Sequence, residues 1–479
     1  MDRLGPVIAT TANPLASGQI RSARLAAAAG ADRVEVRIDK LSRGETCEAL
    51  FDLAREMPLL VSGCRNAVLP REAALLRAAQ ERGALVDVPF SEDLPADLWG
   101  LNRARMVLSF HDFEGMPDDP ADILGRMRAV RAAWYKLVPT AADFPDVVGI
   151  QKFLESESGG GDVCAFAMGV PGIASRAMAL AWGSAATYCS APESPAAAPG
   201  QMGLAELVAI YRAASIRPGE PLYGVIGWPL KETGSPGLHN RWLGELRLPG
   251  RFLQLPVKDP DAFFRLARQL PLLGAAVTIP HKREVVRRLA SSSRLVRLVG
   301  ACNTMLWRGG GWAGANTDAF GIRHALRGLT RPCRTLVLGA GGAAAAVCAV
   351  AARMGPAAVA ARKPEAAEAL AGRFRMEVVS WAGRRLAPWD LLVNTTPVGQ
   401  EGDLSPYPYP LGGSAVFDLI VRDGGTGLIR AALDEGLRAI PGRVMLEAQA
   451  RLQFRLFTGC GAPAGRAASG MAGPAGRHP

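Results

Sequence analysis

The sequence predicts an α/β protein in two halves: an N-terminal (β/α)8 TIM barrel, then a two-domain unit ending in a Rossmann dinucleotide-binding domain. Three observations predict this. Eight short apolar runs alternate with Ala/Leu/Arg-rich helical segments over about the first 215 residues. The stretch Ser215-Ile-Arg-Pro-Gly-Glu-Pro221 then interrupts the pattern ahead of a new apolar run, Leu222–Ile226. Finally, Thr335-Leu-Val-Leu338 runs into Gly339-Ala-Gly-Gly342 and an Ala-rich segment free of Pro and Gly to Met354, a buried strand, tight turn and helix.

Composition narrows the class. A chain of 479 residues is long enough for two or more domains, and 49% hydrophobic with 21% charged residues is globular. Outside Ala/Gly-rich helix candidates there is no apolar run of about 18 residues, so no membrane span is expected. The N-terminus enters a strand without a signal-like apolar region, which predicts a cytoplasmic protein. The eight Cys are scattered without a C-x-x-C and the five His form no cluster, so reduced thiols and no metal site are expected. For the net charge of +11 two readings compete, a nucleic-acid surface and anionic small molecules. The charge is spread, and no basic run carries interleaved aromatics, which favours the small molecules. Lys occurs seven times against 48 Arg. A Lys kept inside an apolar stretch in such a chain marks chemistry that a guanidinium cannot do. The sequence assigns no oligomeric state.

In chain order the eight runs are Val7–Thr10, Val34–Asp39, Leu59–Gly63, Leu85–Pro89, Met106–His111, Trp134–Pro139, Val163–Gly169 and Ala186–Cys189. A barrel or a doubly wound sheet would accommodate them. Glu35 and Arg37 share one strand face. Arg65 follows the third strand, His111 ends the fifth, Lys136 lies on the sixth, Arg176 follows the seventh and Gln201 lies in the loop after the eighth. In a barrel these converge on the face of the strand C-termini, where active sites sit. Lys136 lies among Trp134, Tyr135, Leu137 and Val138. Burial there is expected to lower its pKa and free an amine that forms a Schiff base with a carbonyl. The alternative is an inward Lys merely paired with Glu35. His111, beside Asp112, is either structural or an acid–base group.

Glu35-Val-Arg-Ile-Asp39, Ser109-Phe-His-Asp-Phe113, the Lys136 strand, Gly172-Ile-Ala-Ser-Arg176 and Ala198-Pro-Gly-Gln201 together resemble type I 3-dehydroquinate dehydratase over about residues 5–210. The resemblance implies an imine between Lys136 and the substrate ketone, proton movement by His111, and Glu35 orienting His111. It implies that Arg37, Arg65, Arg176 and Gln201 hold the substrate carboxylate and hydroxyls. The sequence departs from the family pattern at Leu69, where a Glu is usual, and at Ala197, where a Ser is usual.

In the second half, Thr233 and Ser235 stand in a hydroxyl-rich loop entering a helix, as carboxylate ligands or simply as its cap. Ala275-Ala-Val-Thr278-Ile-Pro-His-Lys282 ends a strand with a second lysine, and Gly300-Ala-Cys-Asn303-Thr304 and Gly314-Ala-Asn316-Thr-Asp318 are two similar small-residue turns. A Lys–Asp pair can relay a hydroxyl proton during hydride transfer; a surface ion pair is the alternative. In the glycine turn, Gly339 permits the tight bend, Gly341 the approach of a pyrophosphate, and Ala344 close helix–strand packing.

With Asn394-Thr-Thr-Pro-Val-Gly399 and Met445-Leu-Glu-Ala-Gln-Ala450, these motifs resemble shikimate dehydrogenase over about residues 222–460. That implies Lys282 and Asp318 as the catalytic pair and Thr233, Ser235, Thr278, Asn303, Asn316 and Gln449 as substrate contacts. It also implies Gly339, Ala340, Gly341, Gly342, Ala343, Arg362 and Thr395 as cofactor contacts. The strand Ala357–Ala361 ends in Arg362-Lys363 with no acidic residue, which favours NADP over NAD. Ala276 and Val421 replace an Asn and a Tyr of the family pattern.

The two resemblances imply a fused enzyme that dehydrates 3-dehydroquinate and then reduces 3-dehydroshikimate with NADPH, its partners being these small anions, with neither nucleic acid nor membrane. The boundaries expected are 1–216 for the barrel, 217–221 for the linker, 222–325 for the substrate domain and 326–440 for the Rossmann domain. A returning C-terminal helix is expected at 441–462 and a disordered tail at 463–479. An oxidative quinate/shikimate-type dehydrogenase, or an inactive ligand-sensing relative, are the competing readings.

Overall fold

The computed structural model describes residues 4–63, 70–92, 98, 100–157, 159–230 and 233–463. The expected tail, apart from its first residue, and Arg65 and Leu69 lie outside them. The chain divides into two compact units, Met1–Pro236 with Arg247–Leu272, and Gly237–Leu246 with Leu273–Pro479.

In the first unit, eight parallel strands lie in the order β7-β6-β5-β4-β3-β2-β1-β8. They are β1 (Val7–Thr11), β2 (Arg33–Arg37), β3 (Leu59–Ser62), β4 (Leu85–Pro89), β5 (Met106–His111), β6 (Trp134–Val138), β7 (Val163–Ala165) and β8 (Thr187–Ser190). The order is that of a barrel and excludes the doubly wound alternative. At the seam between β7 and β8, Ala185 N donates to Val163 O at 2.7 Å. Ser184 Oγ there accepts from Ala165 N at 3.1 Å and donates to Ala186 O at 2.7 Å. Inward side chains Ile8, Leu60, Leu85, Val107, Trp134, Cys164, Phe166 and Tyr188 belong to one buried cluster. Period-2 alternation then sets Thr10, Glu35, Asp87, Ser109 and Lys136 on the same inward face, nearer the strand C-termini.

Four runs end before the expected residue, the third and sixth by a single residue. The seventh strand ends at Ala165; beyond it Ala167 N donates to Ser175 Oγ at 2.8 Å, while Phe166 N and Met168 N still donate to Leu137 O and Pro139 O at 3.4 and 2.7 Å. The second ends at Arg37, where Ile38–Lys40 winds into a 3-10 turn.

The same unit includes β9 (Leu222–Gly227) paired in parallel with β10 (Arg251–Pro256), and the helix Pro260–Leu266. These pack on the barrel. Phe263 meets Phe144 with ring centroids 5.1 Å apart, and Asp143 accepts from the N–H groups of Lys258 and Asp259 at 2.7 and 2.9 Å. The buried Arg251 donates to Tyr211 O at 2.5 Å and to Ser215 Oγ at 2.7 Å.

The second unit holds β11 (Leu272–Val277), β12 (Ser291–Ser292), β13 (Thr304–Arg308) and β14 (Gly311–Ala315). In it β13 is antiparallel to both β11 and β14. It also holds a parallel sheet in the order β17-β16-β15-β18-β19-β20: β15 (Thr335–Leu338), β16 (Ala357–Ala361), β17 (Glu377–Ser380), β18 (Leu391–Asn394), β19 (Ala415–Asp418) and β20 (Arg438–Pro441). Numbered from its own first strand this order is 3-2-1-4-5-6, with the crevice between β15 and β18. Val337, Val359, Val393 and Phe417 bury one sheet face under the helix Gly342–Ala351, and Leu336, Leu338, Leu392 and Val416 bury the other. The helix Gly442–Thr458 packs against Asp318–Ala325. Gly321 permits the approach, since a Cβ there would lie 2.7 Å from Met445 O. Among the described residues no helix is long and apolar enough to cross a membrane.

Candidate active sites

The barrel site is centred on Lys136. Its Nζ forms a short ion pair with Asp87 Oδ2, lies 3.8 Å from Glu35 Oε1, and sits over the Tyr188 ring 4.6 Å from the centroid. All four side chains are buried. Burial alone would lower the lysine's pKa, but Asp87 and then Glu35 hold it above the ordinary value. This reverses the expectation from its sequence neighbours. Tyr135 and Leu137 point to the outer face, and what Lys136 meets inside is two carboxylates from β4 and β2. Asp87 is held below its ordinary value: burial acts to raise it, and Lys136, His111 and the Ser109 hydroxyl together outweigh that.

Asp87 escaped the sequence reading. Its signal was available: like Lys136, it is a lone charge in an apolar strand, Leu85-Val-Asp-Val-Pro89.

Glu35 Oε2 also accepts from Thr10 Oγ1 at 2.7 Å, so Glu35 joins Lys136 and Thr10, and no hydrogen bond links it to His111. His111 stacks on Phe113, with centroids 6.1 Å apart. Burial, then the positive Lys136, pull its pKa to about 3 against the opposing effect of Asp87. The imidazole is therefore neutral at pH 7. We expect the dehydratase kcat/KM to show no ionisation near 6.5; a profile from pH 4.5 to 8.5 with a single-proton break there would contradict a neutral His111.

Arg37 gives its fork to Asp39, with both N–O distances at 2.8 Å, so less of it is free for a ligand than the sequence suggested. Arg176 is the converse. It is 2% exposed, has no carboxylate partner among the described residues, and leaves Nε without an acceptor. Its contacts are the Phe166 ring at 4.5 Å and a long bond from Nη1 to Tyr188 O at 3.5 Å. Burial pulls its pKa to about 10, which leaves an uncompensated cation at neutral pH. Gln201 Oε1 accepts from Ala197 N at 2.7 Å, holding the loop after β8.

In the second unit, Lys282 Nζ lies 2.6 Å from Asp318 Oδ2. Asn303 Nδ2 donates to Asp318 Oδ1 at 2.8 Å and to Thr317 Oγ1 at 2.9 Å, and its Oδ1 accepts from Thr317 N at 2.7 Å. Gln449 Oε1 accepts from Thr317 Oγ1 at 3.1 Å, which ties the C-terminal helix to the pair. Thr317 and Gln453, which donates to Asn303 O at 3.1 Å, were not singled out from sequence. Both are uncharged residues whose role depends on tertiary placement.

The two Asn-Thr turns differ in role. Asn303 orients Asp318, whereas Asn316 spends its amide on Ala301 O at 2.9 Å and accepts from Ala319 N at 3.2 Å. The Thr278 hydroxyl, at the end of β11, has no protein partner among the described residues. In the first unit, Thr233 Oγ1 accepts from Ser235 N at 3.3 Å and donates to Ser235 Oγ at 3.2 Å, at the start of the helix Ser235–Glu245. Ala276 is buried, and Val421 is 47% exposed.

The glycine turn fits a pyrophosphate. Gly339 has φ +109°, and a Cβ on it would lie 2.5 Å from Thr395 Oγ1, which itself donates to Leu338 O at 2.6 Å across the crevice. A Cβ on Gly341 would meet nothing within 4 Å, so the turn opens to solvent where a phosphate would lie. Gly342 is backed by Lys282: a Cβ there would be 3.2 Å from the Lys282 Cβ, which places the catalytic-pair candidate beside the turn. Ala340 and Ala343 are half-buried, and Arg362 is exposed after β16. Asn394 fixes the far wall, donating to Asp418 Oδ1 at 3.0 Å and accepting from Thr396 N at 2.9 Å. Arg283, not noticed in the sequence, donates to Ala340 O at 2.8 Å.

Comparison with known proteins matches both halves of the chain to known families. The family model described as type I 3-dehydroquinase matches residues 9–218, and that of the shikimate dehydrogenase substrate binding domain matches 225–305. The shikimate dehydrogenase (NADP(+)) of Oleidesulfovibrio alaskensis is 37% identical over 252 residues, covering 50% of this chain and 90% of that protein. The bifunctional 3-dehydroquinate dehydratase/shikimate dehydrogenase, chloroplastic, of Arabidopsis thaliana is 27% identical over 477 residues, covering 91% of this chain and 79% of that one. Among solved structures, shikimate 5-dehydrogenase from Thermus thermophilus in complex with NADP(H) and shikimate is 33% identical. It covers 50% of this chain and 95% of that chain at a TM-score of 0.46.

Proposed function

We infer that this chain, which belongs to the shikimate dehydrogenase family through its second half and carries a type I 3-dehydroquinase in its first, is a bifunctional enzyme of the shikimate pathway. It dehydrates 3-dehydroquinate to 3-dehydroshikimate on the barrel and reduces 3-dehydroshikimate to shikimate in the second half. The observation that carries the reading is one chain holding two separate lysine–carboxylate pairs, the buried Lys136 with Asp87 and the half-buried Lys282 with the buried Asp318.

On the barrel, Lys136 rests as an ammonium and passes a proton to its hydrogen-bonded partner Asp87, which returns it to the water that leaves the carbinolamine. Its Nζ then attacks the ketone carbon, and the carbinolamine loses water to leave an iminium. That cation draws electrons as neutral His111 removes a proton from the adjacent carbon. The hydroxyl one carbon further on leaves, taking the proton from the same imidazole, and water hydrolyses the imine to free the product. Arg176 is the natural seat of the substrate carboxylate, because it is a buried cation without a counter-charge among the described residues. Gln201 Nε2 and the remaining N–H donors of Arg37 would serve the hydroxyls, with Arg65 as a further contact.

In the second half, Lys282 and Asp318 hold and move the proton at the substrate oxygen, and Asn303, Thr317 and Gln449 fix Asp318 in place. NADPH, when bound, supplies the hydride. The Gly339–Ala343 turn and Thr395 would hold its pyrophosphate, and Arg362 its 2′-phosphate. Arg362→Ala is therefore expected to raise the KM for NADPH by about tenfold while changing the KM for NADH little; steady-state kinetics with both cofactors decide, and equal changes would mean Arg362 does not read the phosphate. Thr278 and Asn316 complete the proposed substrate contacts of the second unit, Asn316 by shaping the turn before Asp318; for Thr233 and Ser235 only the family resemblance supports such a role.

The test is a single reaction of purified protein, 3-dehydroquinate and NADPH, followed for enone absorbance and NADPH loss. Enone formation followed by NADPH oxidation is expected. Enone that accumulates with NADPH untouched would keep the dehydratase and send the second half to another hydroxyacid, with Ala276 and Val421 as the places to look.

A further inference from the structure

The barrel site contains two buried cations, and each sits on an aromatic face. Lys136 Nζ lies 4.6 Å from the Tyr188 ring centroid, and the Arg176 guanidinium lies 4.5 Å from that of Phe166. The two rings pack on each other, 5.5 Å apart and tilted by 42°. Phe166 and Tyr188 come from neighbouring positions of the barrel wall and are buried. The Tyr188 hydroxyl has no hydrogen-bond partner among the described residues. A phenol that is buried without using its oxygen is present for its ring.

We propose that the Phe166–Tyr188 pair is the positioning element of the barrel site, one ring holding the imine-forming nitrogen and the other the carboxylate-binding guanidinium. The proposal rests on the dehydratase reading above. Its physical basis is that a ring face attracts a cation without neutralising it. A carboxylate beside Arg176 would compete with the substrate's own carboxylate, whereas Phe166 leaves the charge available. At Lys136 the argument concerns the intermediate. The ammonium has three N–H groups for Asp87 and Glu35, but the protonated imine keeps one. The hydrogen-bonded part of the carboxylates' hold weakens as the imine forms, while attraction to the Tyr188 face needs no N–H and persists.

The experiment uses the full chain, with reduction of added 3-dehydroshikimate as the control for folding. Tyr188→Leu should lower the dehydratase kcat on the order of 10- to 30-fold with little change in KM. It should also lower the fraction of chain that borohydride traps as a covalent adduct with 3-dehydroshikimate. Tyr188→Phe, which keeps the ring, should restore kcat to within about threefold of the parent. Phe166→Leu should act on the other cation, raising KM about tenfold while kcat falls much less. If Tyr188→Leu matches the parent in kcat and trapping, or if Tyr188→Phe fails as badly as Tyr188→Leu, the ring has no such role. If the parent chain itself yields no borohydride adduct, the imine reading of the barrel falls first.

Discussion

Lys136→Arg should lower dehydration of 3-dehydroquinate on the order of 10⁴-fold or more while leaving reduction of added 3-dehydroshikimate within about twofold of the parent. Arg is the informative replacement because the site is a buried charge cluster. Removing the cation outright would leave Asp87 and Glu35 facing each other without compensation, and breaking a buried pair costs about 3–5 kcal/mol. A loss seen in Lys136→Ala would therefore confuse chemistry with folding. A guanidinium keeps the positive charge between β2 and β4 but does not form the imine. Borohydride with product should label the parent and leave the variant unlabelled. Residual dehydration within tenfold of the parent would remove the covalent mechanism. Loss of both activities would mean that the two halves depend on each other to fold, which the packing of Phe263 and Arg251 on the barrel makes a specific possibility to check by thermal unfolding.

The eight barrel strands were legible because a parallel strand covered on both faces is an apolar run, and such runs stand out between Arg-rich helices. Lys136 was legible for the same reason in reverse, as the residue that does not belong in such a run. The state of Lys136 was not legible. Its pKa is set by Asp87, 49 positions away in sequence, and by Glu35 on β2. Only the closing of the barrel brings those carboxylates inside with it. Local neighbours pointed the other way, because strand alternation turns Tyr135 and Leu137 away from Nζ. A similar limit applies to Arg37. Its pairing with Asp39 needs the 3-10 turn at Ile38–Lys40, which a reading of that run as continuous strand hides. In the second half, the resemblance between the two Asn-Thr turns suggested a shared role. Register separates them, since Asn303 faces Asp318 whereas Asn316 ties its own turn to Ala301 of the other.

The largest effect expected on the second activity comes from Asp318→Asn and Lys282→Met, each lowering the kcat for 3-dehydroshikimate reduction by about 10²- to 10⁴-fold with dehydration unchanged. Asp318→Asn is nearly isosteric, so the packing around it is kept. What changes is the face toward Lys282, where an amide replaces the carboxylate 2.6 Å from Nζ. If the amide nitrogen turns that way, two donors oppose each other and the lysine loses its anchor. If the amide oxygen turns that way, Asn303 is the group that loses its partner. Either outcome disrupts the geometry that Thr317 and Gln449 support. Two groups that relay one proton act as a unit, and the double variant should then be hardly slower than the worse single variant. Multiplicative losses would instead mean that Lys282 and Asp318 act independently, one polarising the carbonyl and the other merely holding a hydroxyl. The comparison needs only kcat, because the proton relay acts on the bound substrate. A change confined to KM in both single variants would remove the pair from the chemistry and leave it as a binding contact beside the glycine turn.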